Sequence, residues 1–146
     1  MCMKKIISLF GMAVFGITAG ITAGIAALSA ADSDVFIGEW QGSAGEYDIN
    51  IMFMYSNMCV ITVKSVQDGR EVSEETNGTW SCDDNIIRIN GSFPNAKIRG
   101  LSRINWTSVY SFNNNDKSAF SLLVTPPGGS RLTRVSFERI MRWIDV

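Results

Sequence analysis

Tyr47-Asp48-Ile49-Asn50-Ile51-Met52-Phe53-Met54-Tyr55 is the stretch on which the fold turns. Its odd positions are aromatic or β-branched and its even positions include Asp48 and Asn50. That period of two sends successive side chains to opposite faces of a strand, so the odd set is expected to face a core. Ser56-Asn57 then turns the chain into residues 58–66, where Cys59, Ile61 and Val63 alternate with Thr62 and Lys64.

Working outward, the same rhythm continues in both directions. Residues 35–42 read as a first strand. The polar run 67–75, which contains Asp68-Gly69, reads as a hairpin loop. Further strands are expected at 79–82, 85–90, 96–104, 105–112, 117–125 and 130–140, separated by Asp83-Asp84-Asn85, Pro94-Asn95, the Asn-rich 113–116 and Pro126-Pro127-Gly128-Gly129. From residue 32 onward Val, Ile and Thr number 26 whereas Ala and Leu number 7, a balance that favours strands over helices. The expected fold is all-β: one domain over residues 32–146, a single antiparallel up-and-down barrel of about eight strands. Closing a meander into a barrel removes its edges, and a two-sheet sandwich is the structural rival.

Residues 1–31 are a different polymer. Lys4 and Lys5 are followed by an uncharged stretch from Ile6 to Ala31, and Asp32 marks the polar start. A basic end, an apolar stretch and small residues at Ser29 and Ala31 have the build of a cleaved export signal, a signal helix preceding the barrel, which would deliver the domain to the periplasm or the medium. The stretch is also long enough to cross a bilayer, and Gly16, Gly20 and Gly24 keep a helix-packing spacing, so a membrane anchor is the alternative.

The 146 residues contain no histidine. That excludes Ser-His-Asp and Cys-His relays, His-ligated zinc or haem, and an imidazole base near neutral pH. The acidic pairs Glu74-Glu75 and Asp83-Asp84 sit in loops rather than across a cleft, as paired-carboxylate hydrolysis requires. The chain is read as a non-enzyme with no cofactor or metal. Asn77, Asn90 and Asn105 open Asn-X-Ser/Thr triplets, which carry meaning in a eukaryotic secretory route and none in the bacterium that the lysine-bearing start suggests.

Cys59 and Cys82 are the two cysteines beyond the export segment, an even count in an exported chain, and they are expected to form a disulfide. A hairpin pivoting on Asp68-Gly69 would leave them about four residues, roughly 13 Å, out of step. The bridge therefore implies a broad loop over residues 67–74.

Three short motifs carry a family resemblance: Gly38-Glu39-Trp40, Gly78-Thr79-Trp80 with Asn85-Ile86-Ile87-Arg88-Ile89, and Phe137-Glu138-Arg139-Ile140. Together they resemble small bacterial lipocalin-like proteins of the calycin group, over residues 38–140. The resemblance implies that Trp40, after Gly38, plugs one barrel end and that Arg139, or less favourably Arg134, stacks across its ring.

Charge is divided along the chain. Residues 32–85 hold 2 basic and 11 acidic side chains, residues 86–146 hold 9 and 3. An overall excess of acid in the domain argues against nucleic acid as a partner. Opposite charges on neighbouring first and last strands would account for the division internally. The functional alternative is a basic face of Arg88, Lys97, Arg99 and Arg103, joined by Arg131 and Arg134, meeting an acidic envelope component. Two functions therefore stand as expectations. One is an exported binder holding a small hydrophobic ligand among Ile49, Ile51, Phe53, Ile61, Trp80 and Phe120. The other is an envelope or secreted interaction module with a solid core, working through loops and the basic face.

Overall fold

The computed structural model describes residues 34–113 and 115–141. The export segment or membrane anchor read at residues 1–31 lies outside them. After a helical turn at 34–36 come β1 (Gly38–Ala44), β2 (Tyr47–Phe53), β3 (Met58–Gln67), β4 (Arg70–Asp83), β5 (Ile86–Ser92), β6 (Arg103–Val109), β7 (Ser111–Phe112), β8 (Ala119–Val124) and β9 (Thr133–Met141). They form one antiparallel sheet in the order β6-β5-β4-β3-β2-β1-β9-β8-β7. Because β1 pairs with both β2 and β9, the meander curls into a nearly closed barrel. The ninth strand arises at Tyr110. The chain pairs with β5 before that residue and with β8 after it, so one stretch read as a single strand changes partner midway.

The alternation in the Tyr47–Phe53 strand does what its period requires. Ile49, Ile51 and Phe53 are buried, and across the ladders they meet Gly42, Trp40 and Gly38 of β1 and Val63, Ile61 and Cys59 of β3. Phe36, at the end of the helical turn, is fully buried and packs its ring against those of Trp40, Phe53, Trp80, Tyr110, Phe112 and Phe120. This aromatic cluster fills one end of the barrel.

The turn between β3 and β4 corrects two expectations at once. Asp68 and Gly69 have φ of 53° and 78°, the paired positive values of a type I′ turn, for which an Asp-Gly pair is the preferred sequence. The ladder runs without interruption from Gln67↔Arg70 to Met58↔Thr79, so no broad loop exists over residues 67–74. Cys59 consequently faces Gly78, and Cys82 faces Ile87 of β5. Both are buried, and no disulfide joins them. The expected strand at 96–104 is also revised. Residues 93–102 form a loop whose Phe93, Ile98 and Leu101 are buried, and regular pairing resumes only at Arg103.

Candidate functional site

At the aromatic end, Trp40 and Arg139 face each other across the β1–β9 ladder, next to a bulge between Glu39 and Trp40. The Arg139 guanidinium lies over the Trp40 ring, 4.2 Å from its centroid. Its Nη2 donates to the carbonyls of Val35, at 3.0 Å, and Lys117, at 3.1 Å. Trp40 Nε1 donates to the Phe36 carbonyl at 2.9 Å. Indole and guanidinium thus tie the helical turn and the approach to β8 to the barrel wall. Arg134 points outward on β9 and is exposed.

The residues proposed to line a ligand cavity are packed core. A void large enough for a water molecule leaves accessible area on the side chains around it, yet Ile49, Ile51, Phe53, Ile61 and Phe120 have 0% and Trp80 has 5%. Rings fill the space instead: Phe53 meets Trp80 at 4.8 Å and Phe120 stacks on Phe137 at 5.2 Å. Trp80 Nε1 donates to the Met54 carbonyl at 2.9 Å, so its polar atom is also satisfied from within.

The four basic-face residues divide into two pairs. Lys97 and Arg99 belong to the 93–102 loop, which folds over the tip of the β3–β4 hairpin. Gln67 Nε2 donates to the Lys97 carbonyl at 3.0 Å, while Lys97 N donates to Glu74 Oε2 at 2.7 Å and Arg99 N to Gln67 Oε1 at 2.8 Å. Arg99 also pairs with Asp68 at 3.4 Å. Here the basic half of the sequence answers the acidic half. Arg88 and Arg103 instead stand on the outer face of β5 and β6, both exposed. Arg88 faces Thr107, Asn90 faces Asn105, and Ser92 faces Arg103. The outward residues of β4 that adjoin it are Asn77, Thr79 and Ser81, and Asp83, opposite Ile86, stands diagonally from Arg88. The result is a polar, cationic patch in which the two arginines sit about 13 Å apart along the sheet. The three Asn-X-Ser/Thr asparagines all lie exposed on this patch.

Beside it is a seam that the sequence did not disclose. β6 and β8 are not joined by a ladder; Leu123 N donates to Ser108 Oγ at 2.9 Å, and Trp106 Nε1 donates to the Thr125 carbonyl at 2.9 Å. A hydroxyl spans a narrow gap and an indole a wider one, so the strands diverge from Ser108 toward Arg103. The opening is a groove of about 350 Å³, with Trp106 and Val124 inside and Arg103, Leu123 and Leu132 at its rim. Its far wall is the 125–129 loop, where Gly128 packs against Gly100.

Comparison of the chain with protein-family models, curated proteins and solved structures returned no match.

The only sequence signal of the seam is that Trp106 and Ser108 share the inward parity of β6 while differing greatly in reach. Their partners, the Leu123 amide on β8 and the Thr125 carbonyl just after it, are backbone atoms, which a side-chain pattern cannot identify.

Proposed function

We propose that this protein is an exported, non-catalytic interaction module of lipocalin-like build, whose barrel is a rigid scaffold and whose outer β5–β6 face binds an acidic partner. The observation that carries the reading is the combination of a filled interior with two exposed arginines on the outer β5–β6 face, whose direct cross-strand partners Ser81, Thr107 and Ser92 are all uncharged. A hydrophobic ligand would need space among side chains that expose nothing, and making that space would cost packing on the scale of a core cavity. Exposed Arg88 and Arg103 are already ordered on a rigid sheet, so binding an anion costs little additional backbone order. The Trp40–Arg139 stack supports the lipocalin-like description, and the build of residues 1–31 supports export.

Titration with polyglutamate, followed by amide shifts, tests this. Shifts are expected at Arg88, Asn90, Arg103 and Asn105. The double variant Arg88→Glu/Arg103→Glu should weaken binding at least about tenfold, whereas Lys64→Glu, outward on β3, should not. Equal binding by the double variant, or a rise in melting temperature with palmitate, overturns the reading.

A further inference from the structure

We infer that the acidic partner is a polysaccharide bearing carboxylates, held through its hydroxyls as well as its charge, an inference that rests on the outer β5–β6 face being the binding surface. The three Asn-X-Ser/Thr triplets point to it. Residues i and i+2 of a strand share a face, so each triplet sets a carboxamide beside a hydroxyl. Asn77 stands with Thr79 on β4, Asn90 with Ser92 on β5 and Asn105 with Thr107 on β6, all six exposed. The ladders bring the triplets into register: Thr79 faces Asn90, Asn90 faces Asn105, Ser92 faces Arg103 and Arg88 faces Thr107. Among the described residues none of the three carboxamides has a hydrogen-bond partner, which leaves their donors and acceptors to a ligand.

The chemistry of the face selects the class of partner. A carboxamide both donates and accepts, as a sugar hydroxyl does. A protein partner is anchored instead by aromatic and aliphatic side chains in desolvated pockets. The outward rows of β5 and β6 from Ser92–Arg103 to Arg88–Thr107 hold no apolar side chain, and Ile86 and Val109 only begin the next row. Charge sets the second requirement. Arg88 and Arg103 have no ion pair among the described residues, and they stand four residues, about 13 Å, apart along the sheet. One small anion does not span that distance, so a chain that repeats its carboxylate is needed to engage both. The carboxylates of β4 lie at the ends of the face, Asp83 diagonally from Arg88 and Glu75 one outward position beyond Asn77. They make Arg103 the stronger anchor and keep the bound chain on β5 and β6.

The test titrates the whole protein with a 1,4-linked galacturonate hexamer, its fully methyl-esterified form and polyglutamate, following the side-chain amide signals of the asparagines. The hexamer should bind with shifts at Asn90 and Asn105, and esterification should weaken it about tenfold or more. Asn90→Ala/Asn105→Ala removes carboxamides and no charge. It should weaken hexamer binding about fivefold or more and leave polyglutamate binding unchanged. Equal binding of the ester, or hexamer binding that the double variant leaves intact, overturns the polysaccharide inference. Polyglutamate binding that is lost on Arg103→Glu then leaves the acidic-partner reading standing. Absence of binding by both the hexamer and polyglutamate overturns the two together.

Discussion

The Arg139 guanidinium lies 4.2 Å from the centroid of the Trp40 ring, and the same two residues are partners across the ladder that joins the last strand to the first. The stack therefore sits where the barrel closes. Arg139 adds hydrogen bonds to Val35 and Lys117, so one side chain holds the helical turn and the loop before β8 against the same indole. Arg139→Ala removes the cation–π contact and both bonds at once and should cost about 2–4 kcal/mol. Arg139→Lys keeps the charge but not the planar fork, and should recover less than half of that loss. Urea unfolding followed by tryptophan fluorescence measures both.

Much of this end of the molecule was legible from residue types. Alternation at Ile49, Ile51 and Phe53 declares strand and core together, because period and burial are the same signal. What the pattern could not convey was closure by unlike groups. The disulfide expectation weighed cysteine parity above turn chemistry, yet Asp68-Gly69 forms its two-residue turn and the resulting register separates the thiols. Residues 96–104 carry Ile98, Leu101 and Ile104, all buried, and a buried loop leaves an apolar pattern much like that of a strand. The charge division was visible, but its meaning depended on which loop folds over which hairpin, and so Arg99 went to Asp68 while Arg103 did not.

At the seam, the Ser108 hydroxyl accepts the Leu123 amide and donates to the Val109 carbonyl at 2.8 Å. Ser108→Ala leaves the Leu123 N–H without its acceptor, at a cost of about 1–3 kcal/mol. Trp106→Phe keeps an aromatic ring in the groove, though a smaller one, and loses the bond to Thr125. Hydrogen exchange is the discriminating measurement. Ser108→Ala should speed exchange at Leu123 while leaving the β3–β4 ladder unchanged, because no backbone ladder joins β6 to β8 at the seam.

At the opposite end from the Trp40–Arg139 stack, Gly100 has φ of +79°, and a Cβ placed on it would lie 2.7 Å from the Gly128 Cα. Both the backbone conformation and the contact exclude a side chain, since the obstacle is main chain. Gly100→Ala should destabilise by about 2 kcal/mol or more, above the 1–2 kcal/mol expected from left-handed backbone alone. Tyr47 Oη donates to the neighbouring Arg99 carbonyl at 3.0 Å, so Tyr47→Phe should loosen the same junction by about 1 kcal/mol. Thermal unfolding of the two variants ranks them, and an alanine at position 100 that is neutral would contradict the observed packing.

Burial pushes the Cys59 thiol up to about 11 from an ordinary value of 9.0, with a hydrogen bond to the Gly78 backbone opposing it. The folded protein therefore holds this proton more tightly than the unfolded chain does. Stability arising from the buried neutral thiol is complete below about pH 9, where both states are protonated, and is lost as pH rises toward 11. Cys59→Ala removes that proton linkage, so wild type should lose stability more steeply than the variant between those two values. Other groups titrate in the same window, but they are common to both proteins and cancel in the difference. Thiolate is the reactive form, so iodoacetamide at pH 8 should modify native Cys59 far more slowly than the urea-unfolded chain. Intact mass under non-reducing conditions should show both Cys59 and Cys82 as thiols; a mass lower by two hydrogens would mean that β3 and β4 slip from the register set by Asp68-Gly69.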